Sequence, residues 1–201
     1  MTLTPLDFGK LNTYSVHDRF SKVTVENFAK PLQKGATIED FLASLPDQLL
    51  GLDFPELIER LAVSHEQGKP VIVGMGAHVI KVGLNPLLID LMKRGIITGL
   101  ALNGAGIVHD TEIAMVGRTS EDVDQVLGAG AFGAAKETGE VVNEAIRRGA
   151  ESDKGMGEAI GEYLLDQKFP YNDSSLLASA KRLGVPVTIH VAIGTDIVHI
   201  H

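Results

Sequence analysis

The chain contains no cysteine. That alone excludes disulfides, thiolate metal sites and cysteine nucleophiles, and it suits a reducing cytosol. No run of ~18 apolar residues occurs, so no transmembrane helix is expected. Met1 to Lys10 lacks a basic start followed by a long apolar core, so no signal peptide is expected either. Positive charge is scarce: 18 Lys and Arg stand against 26 Asp and Glu, for a formal net charge of −8 and a pI near 5.3. With no Lys/Arg-rich run, the basic footprint that phosphate backbones require is missing, which disfavours a nucleic-acid partner. Internal repeats and low-complexity segments are absent. So are the Gly-x-Ser-x-Gly elbow of serine hydrolases and the Gly-rich Lys-Ser/Thr loop of P-loop enzymes.

What is present is a chain of 201 residues, 44% hydrophobic and 22% charged, enough for one sizeable domain with a small extension. Its 22 glycines fall in short clusters, the mark of tight turns where backbone approaches something closely. Residues 1–50 read as an N-terminal helical extension, with a helix from Ile38 interrupted near Pro46. A second helix is expected after Asp53, which can cap it, with Pro55 in the first turn. From residue 51 to residue 201 short apolar strands alternate with amphipathic helices. The strands read as Pro70–Gly74, Ile96–Leu102 and Val185–Ile193. Helices are expected at Asn85–Arg94, Asp110–Met115, Thr119–Leu127, Lys136–Arg148, Met156–Leu165, and from Asp173 or Ser174 to Leu183, where Gly184 stops the last. This alternation predicts an α/β fold, a doubly wound parallel sheet with helices on both faces. Three strands are fewer than the ~5–6 of a usual sheet. The expectation is therefore a domain incomplete at its C-terminus, or one covered by an oligomer.

In a doubly wound sheet ligands bind beyond the carboxyl ends of the strands. The first such end is Gly74-Met-Gly-Ala-His78. Its two glycines suit either a dinucleotide loop or a plain tight turn; the third glycine of the fingerprint is replaced by Val79, and the acidic ribose ligand by Asn103. The second is Asn103-Gly-Ala-Gly-Ile-Val-His-Asp110. Asn103 can donate and accept, Gly104 and Gly106 permit close approach, and His109 beside Asp110 could serve acid–base chemistry. Equally, Asp110 could only cap a helix, with His109 on its surface. The third is Gly194-Thr-Asp196. Nearby, His199-x-His201 could hold a metal if extended, but no carboxylate pair completes a set, and no metal site is expected.

These three ends, in order, resemble the deoxyhypusine synthase family. The run Val71-Ile-Val-Gly-Met-Gly-Ala-His-Val-Ile-Lys-Val-Gly83, then Ile89-Asp-Leu-Met92, then Leu102-Asn-Gly-Ala-Gly-Ile-Val-His-Asp110, carries the resemblance, and Gly194-Thr-Asp-Ile197 is similar to the family's Thr-Asp-Gly motif. It covers roughly residues 65–201. It implies a Rossmann-like NAD-binding domain in a cytoplasmic homotetramer with sites at subunit interfaces. It implies an NAD-dependent transfer of an aminobutyl group from spermidine or a related amine, with a protein lysine or another amine as acceptor. By position, Ala77 and His78 replace a Ser-Asn pair. Asn103, Gly104, Ala105 and Gly106 stand at a Thr-Ala-Gly-Gly turn, His109 and Asp110 at an acidic pair, and Asp196 at the Asp of Thr-Asp-Gly. Gly74, Gly76, Ala77, His78 and Asn103 to Gly106 would then hold the cofactor, and His109, Asp110 and Asp196 would line the reacting site. The family's nucleophilic lysine falls beyond the residues of this sequence. Two alternatives stand beside the transferase: a nucleotide-binding relative acting as a regulator or a different oxidoreductase, and an inactive fragment.

Overall fold

A computed structural model describes residue 5 and residues 8–126, 128 and 132–196. Two compact units divide the chain, Met1–Arg60 and Leu61–His201. In the first, helix α1 (Ile38–Ser44) opens on a capping box: Asp40 N–H donates to Thr37 Oγ1 at 3.1 Å, and Thr37 N–H donates to Asp40 Oδ2 at 2.8 Å. None of this unit's described residues is buried. Helix α2 (Leu50–Glu66) runs across the boundary between the units. It begins a turn before the expected start. Asp53 N–H donates to Leu49 C=O, and Pro55 lies inside the helix.

The second unit alternates strands and helices in the order β1 (Ile72–Met75), α3 (His78–Lys81), α4 (Asn85–Lys93), β2 (Gly99–Asn103), α5 (Gly104–Val116), α6 (Val123–Val126), α7 (Lys136–Glu151), α8 (Met156–Gln167), α9 (Leu176–Leu183) and β3 (Val187–His190). The three strands form one parallel sheet in the order β1-β2-β3, with Gly74 level with Ala101 and Leu102 level with Ile189. An α/β fold with three parallel strands is thus as the alternation predicted.

The layering is different. Side chains alternate across a sheet, so Val73, Met75, Leu100, Leu102, Val187 and Ile189 share one face. All six pack into two clusters of helix side chains, one around Ile107, Val142, Ile160 and Leu164, the other around Ile80, Ile89, Met92 and Leu176. The opposite face carries Ile72, Gly74, Thr188 and His190 on the outer strands, all exposed, with Ile72 at 68%, and the buried Gly99 and half-buried Ala101 on the central one. Topology explains this. Right-handed crossovers that always step the same way place every connecting helix on the same side. Helices reach the second face only where the strand order reverses, and β1-β2-β3 has no reversal. Among the described residues the sheet is wound on one side, not two.

Glycines set how tightly the helical layer closes. A Cβ on Gly157 would overlap the Val187 carbonyl of β3, and one on Gly161 would lie 2.5 Å from the Leu177 carbonyl of α9. These two residues, one turn apart on α8, let that helix lie against both neighbours. No helix among the described residues is long and apolar enough to cross a membrane.

Candidate functional site

At the carboxyl edge of the sheet the three strand ends meet. Gly76, just past β1, has open space where a side chain would be; its nearest neighbour would be the Asn103 amide nitrogen at 3.7 Å. Asn103 ends β2 and caps α5, its Oδ1 accepting from Gly106 N–H at 3.0 Å. The Gly-rich segment is therefore the first turn of a 13-residue helix, starting six residues before the expected position. The turn after β3 carries Asp196, whose carboxylate accepts from Ala192 N–H at 3.2 Å and lies against Gly104, so that a Cβ on Gly104 would overlap it. A carboxylate at the amino end of α5 is favoured by the helix dipole.

The residues expected to hold a cofactor divide into two groups. Gly76, His78 and Asn103 are exposed at this edge, and Gly74 is exposed within β1, on the bare face of the sheet. Ala77, Gly104 and Gly106 are buried, and Ala105 is half-buried. Gly106 is committed to packing: a Cβ there would sit 3.2 Å from Leu102 Cβ.

His109 and Asp110, adjacent in sequence, part company. Asp110 has no exposed surface. It accepts from Ser175 Oγ at 2.6 Å, Leu176 N–H at 2.8 Å, Leu177 N–H at 2.9 Å and Asn85 Nδ2 at 3.1 Å. Burial pushes its carboxyl up, and these four donated bonds oppose that shift. It ties α5 to the amino end of α9 and to the start of α4. The expectation that Asp110 lines a reacting site is corrected here: a carboxylate with no accessible atom and four scaffold donors is a structural anchor. Nor does it cap its own helix; it reinforces the Ser175 cap of α9.

His109 points elsewhere. Its Nδ1 is 2.6 Å from Thr119 Oγ1, Thr119 donates in turn to Glu112 Oε2, and Thr138 Oγ1 donates to Glu112 Oε1 at 3.1 Å. Burial lowers the imidazole's pKa, the Glu112 carboxylate raises it, and the Lys81 ammonium lowers it. Glu112 and Thr119 also line a cleft of about 540 Å³ walled by Met115 and Phe169. This polar set was only partly legible. His109 and Glu112, three apart on a helix, had to be neighbours. Thr119 returns over them because Gly117, at φ 68°, reverses the chain. Thr138 comes from α7, and no local pattern announces it.

His199 and His201 lie outside the described residues. Among those described, no group of three or more His, Asp or Glu is placed to hold a metal ion. No family model and no curated protein matches the chain.

Proposed function

We propose that this protein is an NAD-dependent transferase of the deoxyhypusine synthase type, cytoplasmic and oligomeric, acting on spermidine or a related amine with an amine or protein lysine as acceptor. The observation that carries the reading is the meeting of the Gly76, Asn103 and Asp196 strand ends at one edge, where ligands of α/β sheets bind. We read the sheet as a Rossmann-like layer whose bare face is covered on assembly.

The residues present fit a dinucleotide at one approach. Gly74 has nothing within 4 Å of a Cβ position and Gly76 only the Asn103 amide, so backbone is open to close contact there. Over Gly104 the Asp196 carboxylate already fills the space. Gly74, Gly76, His78 and Asn103 would therefore hold the cofactor, and Asp196 would face a hydroxyl or an ammonium at its margin. The cofactor, when bound, supplies hydride acceptance from a carbon bearing an amine. The chain's own residues bind and orient: Asp196 pairs with a cationic amine, and His109 supplies an imidazole whose pKa burial lowers. Lys81 and Lys93 are not assigned the role of nucleophile.

A second reading, nucleotide binding without transfer, is favoured by the withdrawal of Asp110 into the core, which removes one carboxylate expected to meet a polyamine. Spermidine consumption in the presence of NAD, followed by chromatography, separates the two. Depletion that requires NAD supports the transferase. Bound NAD with intact spermidine supports the second reading and counts against the first.

A further inference from the structure

The hydrogen-bond set around Glu112 has a chemical consequence. Its two oxygens accept from two different hydroxyls, Thr119 and Thr138. An ionised carboxylate only accepts, and a threonine hydroxyl has a single proton. With that proton given to Glu112, Thr119 Oγ1 can only accept from His109 Nδ1, 2.6 Å away. Which imidazole nitrogen carries the proton is set by the bond the other makes.

We propose that Glu112 and Thr119 lock His109 as the Nδ1–H tautomer, leaving Nε2 as a lone pair that serves as the base for an amine or hydroxyl proton. On uptake of one proton at Nε2 the ring becomes an imidazolium. Its charge faces Glu112 from the same helix, through Thr119, and Lys81 from α3 opposes it. Thr119 and Glu112 are positioning residues: they act through His109. Thr138 holds the far oxygen of Glu112, so that the carboxylate keeps its other oxygen on Thr119. The tautomer assignment stands on the hydrogen bonds alone. The use of Nε2 as a base rests on the transferase reading above.

The test is a two-bond ¹⁵N–¹H correlation spectrum of the full chain labelled at histidine, recorded at a pH where the ring is neutral. The His109 signals are identified by their loss in His109→Gln. The expected pattern is a protonated Nδ1 and an unprotonated Nε2. Thr119→Val should lose it, with the ring reverting to Nε2–H or to exchange between forms, and Thr119→Ser should keep it. A wild-type ring protonated at Nε2, or an unchanged pattern in Thr119→Val, overturns the proposal. Wild type and Thr119→Ser alone decide the matter if Thr119→Val does not fold. Because the spectrum needs neither NAD nor spermidine, failure of the transferase reading leaves this result untouched.

Discussion

At the scale of single residues, His109 and Asp110 are neighbours on α5 with different surroundings. His109 and Asp110 looked like an acid–base pair. On a helix, neighbours i and i+1 do not face each other, and α5 directs one side chain to Thr119 and the other into the core. Asp110→Ala would leave Ser175 Oγ and two α9 amides without their acceptor, and Asn85 Nδ2 with only the Ser174 carbonyl. Buried donors left unpaired cost about 1–3 kcal/mol each before relaxation, so a loss of about 3 kcal/mol or more is expected in urea unfolding. A loss under about 1 kcal/mol would contradict the anchor role, given that range. His109 makes a pH prediction. Its folded pKa is depressed below the ordinary 6.5, so the neutral ring's contribution is complete above that value. It is lost as pH falls through the folded pKa, because the unfolded chain takes up the proton first. Unfolding curves recorded from neutral pH downward should therefore show wild type losing stability faster than His109→Gln below 6.5.

Elements were more legible than their ends. The α/β alternation, the three strands and the Gly184 stop of α9 all lay in local patterns. The start of α5 did not, since glycine's low helix propensity disguised a helix that the Asn103 cap decides. The closeness of α8 to β3 and α9 was also hidden, because a glycine's value as a gap depends on what faces it. Gly161→Ala tests that directly. In an isolated helix the change would stabilise by about 1 kcal/mol. Here the added methyl would meet the Leu177 carbonyl, and overpacking of this kind should instead cost about 1–3 kcal/mol. A rise in melting temperature for this variant would show that α8 has room to spare.

At the scale of the whole molecule, two features stand out among the described residues. Among the described residues one sheet face exposes Ile72 at 68%, and no residue of the unit Met1–Arg60 is buried. The strand ends could be located from motifs, but the layering could not, because strand order is not written in any local pattern. Parallel sheets are ordinarily covered on both faces, so the bare face is the one a second copy would cover. Self-association is therefore expected, weakened by Ile72→Lys, and light scattering across a dilution series checks it. A monodisperse, well-folded monomer would count against it.

The proposed nucleotide site lies at the carboxyl edge and is approached over Gly76. Its most direct test is thermal unfolding of wild type and Gly76→Ala with and without millimolar NAD. A ligand that binds only the folded state stabilises it by about 2.7 kcal/mol at a hundred times its Kd. A Cβ at Gly76 meets only an ordinary contact, 3.7 Å from Asn103, so the variant should fold as wild type does. A clear upward shift is expected in wild type and none in Gly76→Ala, at equal ligand-free melting temperatures. No shift in wild type, or an equal shift in both, would contradict the proposed site.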